Sequence, residues 1–144
     1  TGKTYLAVAC AVDALERADV PVRRVFLVGG AVANLVALYM MGTPGRVIIG
    51  ASGAVSALIG TYLALFPGAR LGVVLPLGLF LEFIRAPAYL LIGVWAGLQV
   101  VFAYIGPSFG KVAWAAHVAG FVFGVAYGLY VRAAIARRLR KAGS

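Results

Sequence analysis

Apolar residues fill long stretches of this chain, and polar residues gather in the short gaps between them. VFLVGGAVANLVALYMMG occupies roughly 25–42, VIIGASGAVSALIGTYLALF about 47–66, APAYLLIGVWAGLQVVFAYI about 86–105 and VAWAAHVAGFVFGVAYGLYV about 112–131. Each run is apolar all round, as expected where lipid and neighbouring helices share the surface. A helix needs about 20 residues to cross a hydrocarbon core of ~30 Å, and each run supplies 18–20. The pattern predicts four transmembrane helices in an all-α bundle. Turn-forming residues punctuate it: GTPGR at 42–46, PGAR at 67–70 and GPSFGK at 106–111. The piece LGVVLPLGLFLEFIR at 71–85 is apolar but short, and it contains Pro76. It reads as an interfacial or re-entrant segment joining the second and third spans. Ahead of the first span, Leu6, Ala9, Val12 and Leu15 share one side of an amphipathic helix suited to the inner membrane face.

Composition supports a bilayer setting. Of the 144 residues, 63% are hydrophobic and 12% charged, with a mean hydropathy of +1.00. Soluble domains average about 45–50% apolar and about 25% charged, so this chain has too little polar surface for water. Its length allows one domain with no second core. Cys10 is the single cysteine and builds no disulfide framework. No Cys/His cluster offers a metal site, and no cofactor is expected. The net charge is +9, but the cations sit at the ends of the apolar runs rather than on one basic face. That arrangement excludes a nucleic-acid surface and leaves the lipid bilayer as the expected partner.

The cations also set orientation, because Lys and Arg concentrate on the cytoplasmic side. Lys3, Arg17, Arg23 and Arg24 precede the first span, Arg70 and Arg85 lie between the second and third, and Arg132, Arg137, Arg138, Arg140 and Lys141 follow the fourth. Only Arg46 and Lys111 fall in the other two loops. Both termini are therefore expected in the cytoplasm, and the second and fourth spans begin on the outer side.

On that topology Ser52 lies five residues into the second span, and His117, the only histidine, five residues into the fourth. At about 1.5 Å of rise per residue, each sits roughly 8 Å below the outer boundary. A neutral imidazole at that depth can accept the serine proton. The acids Asp13, Glu16, Asp19 and Glu82 all fall on the cytoplasmic side, so the pair forms a dyad rather than a triad. A packing role competes with this reading. Gly50, Gly53, Ala57 and Gly60 give the small-residue spacing that lets helices approach, and Ser52 fits it. Gly120 and Gly124 repeat that spacing after His117. An ionisable side chain inside a span is costly and marks a functional candidate, although a structural hydrogen bond would also account for His117.

These residues resemble the rhomboid intramembrane serine proteases. GASG at 50–53 looks like the family's nucleophile motif, AHVAGFVFG at 116–124 like its AHxxGxxxG motif, and VVLPLGLFLEFIRAPAYLLIGVWAGLQVV at 73–101 like bacterial members. The resemblance runs from about residue 25 to the end. It implies Ser52 as nucleophile and His117 as general base, in a helical bundle whose water-filled cavity opens to the outside. It also implies transmembrane protein segments as substrates and a bacterial inner membrane as location.

The chain departs from the family in its first part. The family's first two helices, and the His and Asn of the second that help stabilise the oxyanion, have no counterpart; Asn34 lies mid-span on the first helix without that motif. Residues 1–19 instead resemble the opening of PhoH-like ATPases, with TGKT standing where a Walker A loop ends. The leading glycine and the preceding strand of that motif are absent, so no nucleotide binding is expected. The sequence thus reads as a non-rhomboid N-terminal helix over 1–24 and a partial rhomboid domain over 25–144, from a truncated or spliced frame. Proteolysis is expected to be impaired. The alternative is a catalytically inactive, rhomboid-like module that binds the spans of other membrane proteins.

Overall fold

A computed structural model of the chain describes residues 13, 15–17, 20–41, 51–77, 80–105 and 114–142. Gly50, the loop cations Arg46 and Lys111, and residues 1–12 of the expected N-terminal helix lie outside the described residues. Among the described residues four complete helices carry the fold: α1 (Val22–Met41), α2 (Ser52–Leu65), α3 (Ala88–Ile105) and α4 (Trp114–Ala142). Three of them, α1, α3 and α4, are long and apolar enough to cross a membrane. α2 is apolar but has 14 residues, about 21 Å at 1.5 Å each. It starts at Ser52, so the serine opens its helix rather than lying five residues inside it.

α2 is the centre of the bundle. It packs most closely on α4, then on α1, and small residues make the contact. A Cβ on Gly120 would run into the carbonyl oxygen of Gly53, and one on Gly124 into that of Ala57. A Cβ on Gly60 would meet the backbone of Phe121 and Val125. The two helices therefore touch backbone to backbone, where van der Waals contact replaces the hydrophobic drive that lipid abolishes. A similar seam joins α1 to α2, where a Cβ on Gly30 would stand 3.0 Å from that of Ala54. Leu15 and Val20 are buried with Val25, Ala57 and Leu58, so the chain ahead of α1 packs into the same core. Facing outward are large apolar side chains, among them Leu27 and Leu35 on α1, Val94 and Val101 on α3, and Val122 and Leu129 on α4. That is a surface made for lipid.

The segment read as interfacial or re-entrant forms a β-hairpin. β1 (Arg70–Leu77) and β2 (Phe80–Pro87) pair antiparallel, from Arg70 opposite Pro87 to Leu77 opposite Phe80. Two apolar stretches rich in β-branched and aromatic residues flank Gly78, a composition that favours strands. Pro76 would break a helix interior at about 3 kcal/mol, but each strand of a two-stranded sheet has a free edge where proline is tolerated. Open edges leave backbone groups unpaired, which hydrocarbon does not allow. The hairpin follows α2 at the end of that helix remote from Ser52.

At about 1.5 Å per residue, the 29 residues of α4 span roughly 43 Å, longer than a ~30 Å hydrocarbon core. Its last part carries Arg132, Arg137, Arg138, Arg140 and Lys141, all exposed.

Candidate active site

Ser52 is the first residue of α2, and His117 stands in the first turn of α4. The close α2–α4 seam brings both helix starts to one end of the bundle, and Nε2 of His117 lies 2.8 Å from Oγ of Ser52. The structure thus joins two residues 65 positions apart in the chain. Gly53 and Gly120, immediately beneath them, have the helices in backbone contact. Without that approach the two side chains would stand too far apart for a hydrogen bond. The remaining predicted packing glycines, Gly60 and Gly124, continue the same seam.

The first turn of α2 is held from within. Ser56 Oγ donates to the carbonyl oxygen of Ser52 at 2.8 Å, and Val55 N–H donates to that of Ala51 at 2.9 Å. The first four N–H groups of any helix have no carbonyl partner inside it. The N–H groups of Ser52, Gly53 and Ala54 open α2 and have no carbonyl partner within that helix. Ser52 itself is exposed.

His117 has a second partner that the sequence reading did not single out. Its Nδ1 lies 2.7 Å from Oε1 of Gln99 on α3, so both ring nitrogens are engaged. Gln99 is 8% exposed. One signal in the sequence pointed to it: the single amide in the run AYLLIGVWAGLQVVFAYI, where an unpaired polar group would be costly. Trp114 meets the imidazole edge to face at 5.7 Å and stacks on Phe102 of α3 at 4.9 Å. α3 and α4 therefore grip the imidazole by hydrogen bond and by ring contact.

Asn34 lies elsewhere. It lines an open groove between α1 and α2 together with Phe26, Gly30, Ala51 and Ala54. Among the described residues no group of three or more His, Cys, Asp or Glu side chains gathers to hold a metal. The arrangement brings together a hydroxyl and an imidazole nitrogen at hydrogen-bond distance, at a helix start whose first N–H groups have no partner within the helix.

The family model described as Rhomboid domain matches residues 8–134. The match takes in most of the chain, including residues 8–24, which the sequence reading assigns to the N-terminal helix. No curated protein and no solved structure matches the chain. With a domain match of that extent and three helices of spanning length, this is an integral membrane protein of helical architecture, and it belongs to the rhomboid family.

Proposed function

We propose that the chain is an intramembrane serine endopeptidase that cleaves transmembrane segments of other proteins through a Ser52–His117 dyad. One observation carries the reading: the 2.8 Å approach of His117 Nε2 to Ser52 Oγ, inside the 2.6–3.2 Å expected for a nucleophile and its base. In the proposed reaction Ser52 Oγ attacks the scissile carbonyl carbon while its proton passes to Nε2. The carbonyl oxygen becomes an oxyanion, and the N–H groups opening α2 are its candidate donors. Collapse breaks the C–N bond, and the Nε2 proton goes to the leaving amine. Water then attacks the acyl-serine by the same route and restores the enzyme. Positive-inside charge supports an orientation with both termini cytoplasmic, the dyad towards the outer face and, by family resemblance, a bacterial inner membrane as location. The boundary at residue 24 is likewise proposed, on the resemblance of residues 1–19 alone.

A second reading is a module that binds membrane spans without cutting them. It is favoured by the seam itself: Gly53, Gly60, Gly120 and Gly124 bring α2 and α4 into backbone contact, a packing role that Ser52 can share without chemistry. Reconstitution with a single-span substrate in liposomes separates the two readings. The protease reading predicts cleavage that Ser52→Ala abolishes. Stable capture of the substrate span with no Ser52-dependent product would favour the binding module.

A further inference from the structure

Gln99 ties α3 to the candidate site by a hydrogen bond, and its chemistry is specific. A glutamine side-chain oxygen only accepts. With Oε1 at 2.7 Å from Nδ1 of His117, a hydrogen bond between these two atoms forms only when a neutral imidazole carries its proton on Nδ1. Nε2 then carries the lone pair, and that lone pair faces Ser52 Oγ at 2.8 Å. The opposite tautomer would put a proton on Nε2 and turn His117 into a donor towards Ser52, unable to take its proton. Which nitrogen is protonated thus decides whether His117 is a base at all.

In a Ser-His-Asp triad a carboxylate makes this choice. Here both imidazole nitrogens are already engaged, by Gln99 and Ser52, which leaves neither ring N–H for a carboxylate. A carboxylate at position 99 would be an ionisable group on a helix of spanning length, an expensive arrangement in lipid. An amide fixes the tautomer without bringing a charge. Trp114, edge-on to the imidazole at 5.7 Å, limits rotation of the ring that the Gln99 bond aims.

We propose that Gln99 is a positioning residue: its amide oxygen holds His117 as the Nδ1–H tautomer with Nε2 aimed at Ser52, as a neutral third member of the site. The proposal rests on the protease reading for its purpose. During proton transfer from Ser52 Oγ to Nε2, the Nδ1–H···Oε1 bond persists, so Gln99 neither gains nor loses a proton. It holds the ring while Nε2 takes the serine proton and later delivers it to the leaving amine.

His117 is the only histidine, so ¹⁵N-histidine labelling of the full chain in detergent micelles gives one imidazole spectrum, which reads the tautomer without substrate. The wild type is expected to show a protonated Nδ1 and a bare Nε2. Gln99→Leu removes the acceptor and should lose that preference, whereas Gln99→Glu keeps an acceptor and should retain it. Labelling of Ser52 by a fluorophosphonate should fall about 10²-fold in Gln99→Leu, the lower end of what a general base contributes, and should stay within about tenfold of wild type in Gln99→Glu. A wild-type spectrum with the proton on Nε2 overturns the proposal, as does an unchanged tautomer in folded Gln99→Leu. If Gln99→Leu does not fold, the wild-type and Gln99→Glu spectra decide. A chain with the expected tautomer that never labels keeps the positioning arrangement and contradicts the protease reading instead.

Discussion

Thr61 donates its hydroxyl across the α2–α4 seam to the carbonyl oxygen of Gly124 at 3.1 Å, while also reaching its own helix at Ala57 O, 2.9 Å away. The residue is fully buried. Its bond lies about two and a half turns below Ser52, on the same face of α2 as Gly53 and Ala57. Interhelical bonds of this kind average about 0.6 kcal/mol in a membrane bundle. Thr61→Val should therefore lower stability by about 0.5–1 kcal/mol while leaving the fold intact. Thermal or steric-trap unfolding in micelles measures it, and a loss of several kcal/mol would show that the seam depends on this hydroxyl more than on backbone contact.

Backbone contact makes the larger demand. A side chain on Gly120 or Gly124 collides with a carbonyl of α2 rather than with a movable side chain. Gly124→Val should cost at least the 1–3 kcal/mol typical of overpacking, and it should separate the helix starts that carry Ser52 and His117. Gly97 of α3 has nothing within 4 Å of an added Cβ, so Gly97→Ala should be neutral or stabilising by up to about 1 kcal/mol. Comparable midpoints for both variants in a melting experiment would contradict the packing described here.

The apolar runs that became α1, α3 and α4, the serine, the histidine and the glycine seam were legible in the sequence, because each depends on something a sequence displays; the 20-residue second run overstated α2, a helix of 14 residues. A span shows its length, Gly53, Ala57 and Gly60 show their spacing, and His117 stands alone in an apolar run. The hairpin at 70–87 was not legible. From Leu71 to Leu81 no polar side chain interrupts the sequence, so no alternation of apolar and polar positions marks a strand there. Gln99 escaped for a different reason. Depth along a helix follows from residue count, but which neighbour a side chain faces depends on helix rotation and crossing, and the bond to His117 forms between separate helices.

Orientation is open to a direct test. Eleven of the 13 basic residues lie in segments expected on the inner side, including the exposed cluster ending α4. A reporter fused after Gly143 should be active only as a cytoplasmic marker. A periplasmic signal would invert the topology and place the Ser52–His117 end of the bundle on the inner side.

The arrangement of the imidazole by Trp114 predicts a separable effect. Trp114→Ala removes both the edge contact to His117 and the stacking partner of Phe102. Truncation of a large aromatic side chain costs about 3–5 kcal/mol in a core, and less is expected here because Trp114 is only half-buried. Ser52 reactivity should fall with it, and Trp114→Phe should restore most of both. A Trp114→Ala variant with unchanged unfolding and unchanged reactivity would remove Trp114 from the account.

The account stands most directly on whether His117 activates Ser52. The measurement is the rate at which a fluorophosphonate labels the full chain in micelles, with the modified residue located by mass spectrometry. Labelling at Ser52 is predicted for the wild type, none for Ser52→Ala, and a rate at least about 10²-fold lower for His117→Ala, the smaller contribution expected of a general base. A folded wild type that does not label, or a His117→Ala variant that labels as fast as wild type, would contradict it.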